Sequence, residues 1–95
     1  MAISVQSSSK LGRAYVPTAA LAQSIEFDDE LMHVHLTDGR IISVPLIWFP
    51  ILQEASAAQR TQYEIGAGGR GLHWPELDED LSVAGLMAGV DWQAA

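Results

Sequence analysis

Residues 31 to 46 restrict the fold of this chain more than any other stretch. Leu31-Met32-His33-Val34-His35-Leu36 alternates, with Met32, Val34 and Leu36 toward one side and Leu31, His33 and His35 toward the other. A period of two is the signature of a strand with one buried face. Asp38-Gly39 follows, a strong hairpin signal. A two-residue loop there would set Val34 against Ser43 and His33 against Val44, mixing polar and apolar side chains on both faces. A three-residue loop, Thr37-Asp38-Gly39, sets Val34 against Ile42, Met32 against Val44 and His33 against Ser43, and one face becomes uniformly apolar. A slip of one residue would carry the whole apolar set to the wrong side, so the second register is expected. It also puts Gly39 at the left-handed position of a G1 bulge, which suits a residue without a side chain. Ser24-Ile25-Glu26-Phe27 alternates ahead of a turn at Asp28-Asp29. Strands over 24–27, 31–36 and 40–46 then form an antiparallel meander.

Downstream, the pattern turns helical. Pro45 lies near the strand end, where a missing donor is tolerated. Pro50 fits the first turn of a helix. Ser56-Ala57-Ala58-Gln59 matches a capping box and opens a second helix, expected to run to about Tyr63 or Glu64 and to stop at the glycines 66, 68 and 69. Both helices should lie on the apolar sheet face, with Leu46, Phe49, Leu52 and Tyr63 filling the space between. The four glycines from Gly66 to Gly71 lack the lysine of a phosphate-binding loop and read as a turn. Leu72-His73-Trp74 is a short strand ended by Pro75, and Ser82 caps a last helix, Val83 to Ala88, stopped by Gly89. The fold class is therefore α+β: a small antiparallel β-meander with two or three short helices packed on one face. Residues 24–89 form a single domain, with a partly ordered lead-in over 1–23 and a tail over 90–95.

Composition limits the function. The chain has 95 residues, room for one domain, and its 48% apolar content supports a core. Five basic residues face twelve acidic ones, for a net charge of −7. So acidic a chain does not attract a phosphate backbone, and no direct nucleic-acid partner is expected. There is no cysteine, which removes thiolate chemistry, disulfides and Cys-ligated zinc. The N-terminus lacks the pattern of a signal peptide, and no apolar run approaches bilayer length, so a cytoplasmic location without membrane contact is expected. Acids cluster at Glu26, Asp28, Asp29, Glu30 and again at Glu76, Asp78, Glu79, Asp80. Such runs are solvated faces, or surfaces for a basic partner. Arg40 is placed to pair with an acid of the first cluster.

The densest chemistry lies in His73-Trp74-Pro75-Glu76-Leu77-Asp78-Glu79-Asp80. A histidine beside carboxylates is the material of a divalent-metal or acid–base site. The same residues also serve a plain structural role: Asp78 in an Asx-turn after Pro75, Glu79 or Asp80 near the N-terminus of the helix at Ser82. His33 and His35, two apart on one strand, share a face and amount to half a metal site without an evident third ligand. Trp48 and Trp74 are either core or interface anchors. No catalytic, cofactor or metal residue is assigned. The candidate partner surface comprises Trp48, His73, Trp74, Glu76, Asp78, Glu79 and Asp80.

Two long strings also resemble a known family. They are Leu36-Thr37-Asp38-Gly39-Arg40 with Val44-Pro45-Leu46-x-Trp48-Phe49-Pro50-x-Leu52, Ala55 and Arg60, and Gly71-Leu72-His73-Trp74-Pro75-x-Leu77-Asp78-Glu79-Asp80-Leu81-Ser82-Val83-x-Gly85-Leu86. Together they resemble the domain-of-unknown-function family 2442, over roughly residues 24–89. The resemblance implies a small antiparallel sheet with helices on one side, and no established biochemical function. It also implies short chains encoded beside another small protein, and so an antitoxin-like or regulatory role. The expectation is a non-enzymatic acidic module without cofactor that binds another small protein, basic and encoded nearby. Self-association through an exposed strand edge is a further expectation. The alternative is a metal- or small-ligand-binding protein or hydrolase using His73 and Asp78–Asp80.

Overall fold

The structure is a computed structural model that describes residues 20–89. The elements run β1 (Ala22–Phe27), β2 (Leu31–Leu36), β3 (Ile41–Pro45), a 3-10 turn (Leu46–Trp48), α1 (Pro50–Glu54), α2 (Ala57–Arg60), β4 (Glu64–Gly66), a second 3-10 turn (Ala67–Gly69), β5 (Gly71–Trp74), β6 (Glu79–Ser82) and α3 (Val83–Ala88). The strands form two three-stranded antiparallel sheets, β1-β2-β3 and β4-β5-β6. The class is α+β, as the patterning implies. Ser7 to Ser9, Lys10, Arg13, most of the lead-in and the tail with Trp92 lie outside the described residues.

The first sheet has the expected register. Val34 faces Ile42, Met32 faces Val44 and His33 faces Ser43. The Gly39 N–H donates to the Leu36 carbonyl at 3.1 Å, and the Leu36 N–H donates to the Arg40 carbonyl at 2.8 Å. Gly39 takes φ +96°, a conformation that favours glycine. β1 begins at Ala22, two residues earlier than its alternation indicates, because an irregularity between Ala22 and Ser24 realigns Ala22 with Leu36.

The second sheet is the main departure from the sequence reading. The helix opened by Ser56 ends at Arg60. Its capping box forms as expected, with the Gln59 N–H on Ser56 Oγ at 3.0 Å and the Ser56 N–H on Gln59 Oε1 at 2.9 Å. Thr61 Oγ1 then bonds back to the Ala58 carbonyl, and Glu64 to Gly66 leave the helix to pair with β5. Strand pairing outweighs local preference in so short a segment. Glu79 and Asp80 are likewise not helix-terminal charges but residues of β6.

One core serves both sheets. Met32, Val34, Leu36 and Val44 from the first meet Leu72 and Trp74 from the second, with Leu46, Phe49, Leu52, Val83 and Leu86 from the helical segments. Tyr63 joins this core in part: its ring lies 6.4 Å from that of Trp74, and its hydroxyl accepts the Ile25 N–H at 3.0 Å. Arg60 ties the layers together. Its guanidinium donates to the Leu52 and Gln53 carbonyls at the end of α1, and its own carbonyl accepts the Trp74 indole N–H at 3.0 Å. Carbonyls at a helix end have few partners within the helix; that of Leu52 also accepts the Ala55 N–H at 3.2 Å. No helix among the described residues is long and apolar enough to cross a membrane.

Candidate functional site

The acid-rich string forms the β5–β6 hairpin. Pro75 to Asp78 make its turn, with the Leu77 N–H on the Trp74 carbonyl at 3.1 Å and the Asp78 N–H on the Pro75 carbonyl at 3.3 Å. Asp78 closes the turn at φ +54°, in the left-handed region that Asp tolerates better than most residues. This backbone role replaces the expected Asx-turn. His73 sits opposite Asp80, and its Nδ1 lies 2.5 Å from Asp80 Oδ1 on the exposed side of the sheet. Glu76 and Asp78 are exposed and Glu79 is half-buried. None of these three has a cationic partner among the described residues.

Trp74 does not belong with them. It is fully buried, its ring filling the core and its only polar atom bonded to Arg60. An indole of this size removes more apolar area from water than a small core can forgo. Trp74 therefore leaves the candidate surface. Trp48 stays on it, half-buried, with its ring edge-on to Phe49 at 6.3 Å and 70°.

Trp48 and Phe49 form one wall of a groove of about 320 Å³. The other wall is Leu81, Gly85, Leu86 and Gly89, with Asp80 and Ser82 at its rim. Ile47, next to Trp48, and Met87, next to Leu86, are both about half exposed, at 50% and 46%. The sequence reading missed Phe49, Leu81 and Leu86 as site residues. The walls come from segments more than thirty positions apart, and no local pattern announces their meeting.

Two members of the first acidic cluster, Glu26 and Asp28, are engaged in their own hairpin. Asp28 Oδ1 accepts the Glu30 and Leu31 N–H groups at 2.8 and 2.7 Å, which makes the β1–β2 turn, and Oδ2 lies 2.8 Å from His33 Nε2. The His33 side chain and these N–H groups hold the Asp28 carboxyl at about 2, below its ordinary 3.8. His33 Nδ1 also meets Ser43 Oγ at 2.6 Å, and His35 Nε2 meets Glu26 Oε1 at 3.0 Å. Arg40 pairs with Asp38 in its own turn, through Nε at 2.8 Å, rather than with the first cluster. A local partner two residues away costs less side-chain ordering than a distant one. No three His, Asp or Glu side chains converge as metal ligands among the described residues.

The comparisons agree with this architecture. The model of a family described as proteins of unknown function, DUF2442, matches residues 22–91. A crystal structure of a protein of unknown function from Rhodospirillum rubrum is similar at a TM-score of 0.68 and 34% identity, over 81% of this chain and 95% of that one. The solution structure of an uncharacterized protein from Chromobacterium violaceum shares the fold at a TM-score of 0.64 and 21% identity, over 99% of this chain and 91% of that one. No curated protein matches. With both sequence strings folded into one core and the family model spanning both sheets, the chain belongs to the DUF2442 family.

Proposed function

We propose that this protein is a non-enzymatic interaction module whose groove between Trp48 and Leu86 receives a basic segment of another small protein. The observation that carries this reading is the groove itself, an apolar cleft with Asp80 at its rim, on a hairpin whose turn acids Glu76 and Asp78 lack cationic partners among the described residues. Binding energy concentrates at buried aromatic anchors, whereas charges at the rim set partner choice and encounter rate. Trp48 supplies the anchor; Asp80 and the turn acids Glu76 and Asp78 supply the charge. A partner encoded nearby, in an antitoxin-like or regulatory pair, fits this chemistry.

The test is affinity purification from the native host with the unaltered chain, Trp48→Ala and Asp80→Lys side by side. The expected result is a stoichiometric basic protein that co-elutes with the unaltered chain and is lost with both variants. A partner retained equally by all three, or an acidic partner, would overturn the reading.

A further inference from the structure

We infer that the groove takes its partner by strand addition to the open edge of β6, and that the added strand alternates basic and apolar residues; this rests on the interaction reading above. Among the described residues β6 pairs only with β5, so its other side is a sheet edge there. The Val83 N–H donates to the Arg70 carbonyl at 2.9 Å, which fixes which residues of the ladder face inward. In an antiparallel pair, hydrogen-bonded residues alternate with non-bonded ones. Leu81 opposite Leu72 and Glu79 opposite Trp74 are then the bonded pairs. Asp80 and Ser82 turn their backbone N–H groups outward. Neither N–H has a backbone partner across this edge among the described residues.

The other edges differ. The outward Ile25 N–H of β1 is already taken by the Tyr63 hydroxyl. β3 is also an edge, but β6 is the strand whose residues 80–82 line the apolar groove. A peptide laid along β6 would project successive side chains to opposite faces. Side chains beside Leu81 enter the cleft at Trp48, Phe49 and Leu86. Those beside Asp80 stand on the exposed face, where this carboxylate, sharing Oδ1 with His73 and largely exposed, favours Lys or Arg. Main-chain bonds would supply affinity and the alternating pockets specificity.

The experiment uses a fluorescent peptide of alternating arginine and valine, and the same peptide N-methylated at alternate residues so that it cannot pair as a strand. Binding to the whole protein is followed by polarisation and by amide NMR. The expected result is binding of the plain peptide, slowed exchange of the Asp80 and Ser82 amides, and at least tenfold weaker binding of the methylated peptide. Asp80→Lys should weaken the plain peptide by a similar factor. Equal binding of both peptides at the groove would overturn strand addition while leaving the groove reading intact. Binding of neither would overturn the alternating basic strand, and the Trp48-dependent co-purification decides the groove reading independently. A second copy of this chain covering the Asp80 and Ser82 amides would overturn it as well.

Discussion

The two sheets are built from the same number of strands but by different means. The first has strands of six, six and five residues, joined by tight turns whose residues announce themselves. Its exposed face is occupied by internal pairs, His33 with Asp28 and His35 with Glu26. The second has strands of three, four and four residues, and it depends on tertiary anchors: a buried Trp74, the Arg60 carbonyl and a glycine pressed against β1. Isolated short hairpins are marginal in water, so such a sheet persists only by packing. Each sheet carries His–acid pairs on its exposed face, two in the first and His73 with Asp80 in the second. What distinguishes the second is that its β6 edge borders the apolar groove, with the turn acids Glu76 and Asp78 unpaired among the described residues.

The largest expected effect follows from the anchors. Trp74→Ala should cost about 3–5 kcal/mol, the range for deleting a buried Trp, and it also strands the Arg60 carbonyl. Met32→Ala, in the first sheet, should cost about 2–5 kcal/mol. Urea unfolding of the two variants compares the sheets directly. A mild Trp74→Ala would mean that the second sheet does not hang on its anchor.

Two glycines sharpen the contrast next. Gly39 in the first sheet needs only its positive φ, since an added Cβ there meets nothing within 4 Å. Gly39→Ala should cost about 1–2 kcal/mol from conformation alone. Gly69 combines φ +101° with close packing, because a Cβ would lie 2.9 Å from Leu21 Cβ. Gly69→Ala should therefore cost an additional ~1–3 kcal/mol of overpacking. Thermal melts that rank Gly39→Ala as the more damaging would contradict the close approach of the second sheet to β1.

Smaller still is the capping box between the sheets. Ser56→Ala should cost about 1 kcal/mol, because the Gln59 N–H loses its acceptor while α2 is only four residues long. The loss should read as a lower melting temperature with an unchanged fold.

The smallest effect is a pH dependence in the first sheet. Folding lowers the Asp28 carboxyl from 3.8 to about 2, so its stabilisation is fully present above the unfolded value and fades as pH falls through about 2. The group is exposed, so the effect is modest and weakened by salt. Asp28→Asn should be less stable than the unaltered protein near neutral pH, and the gap should narrow in acid. A gap independent of pH would assign Asp28 to the turn alone.

The same contrast explains what could be read without coordinates. In the first sheet, alternation at Met32, Val34 and Leu36 and the turn chemistry of Asp38-Gly39 point to one register, and that register forms. The caps at Ser56 and Ser82 were legible for the same reason, since each is a contact between residues three apart. β4 was not legible: Glu64-Ile65-Gly66 carries too few residues to show a period, and only pairing with β5 makes it a strand. The candidate site was half legible. Its acids stood out as a run, but composition cannot tell a buried Trp74 from a half-exposed Trp48, nor place Leu86 across a groove from Phe49. Those facts belong to packing between distant segments.

The central claim is that the second sheet presents an open edge at β6, beside the apolar groove. Residue-by-residue amide hydrogen exchange of the free protein tests it most directly. The prediction is slow exchange at Leu72, Leu81 and Val83, whose N–H groups lie inside the ladder, and fast exchange at their neighbours Asp80 and Ser82. Protection of Asp80 and Ser82 equal to that of Leu81 would contradict an open edge, and with it the docking surface built on it.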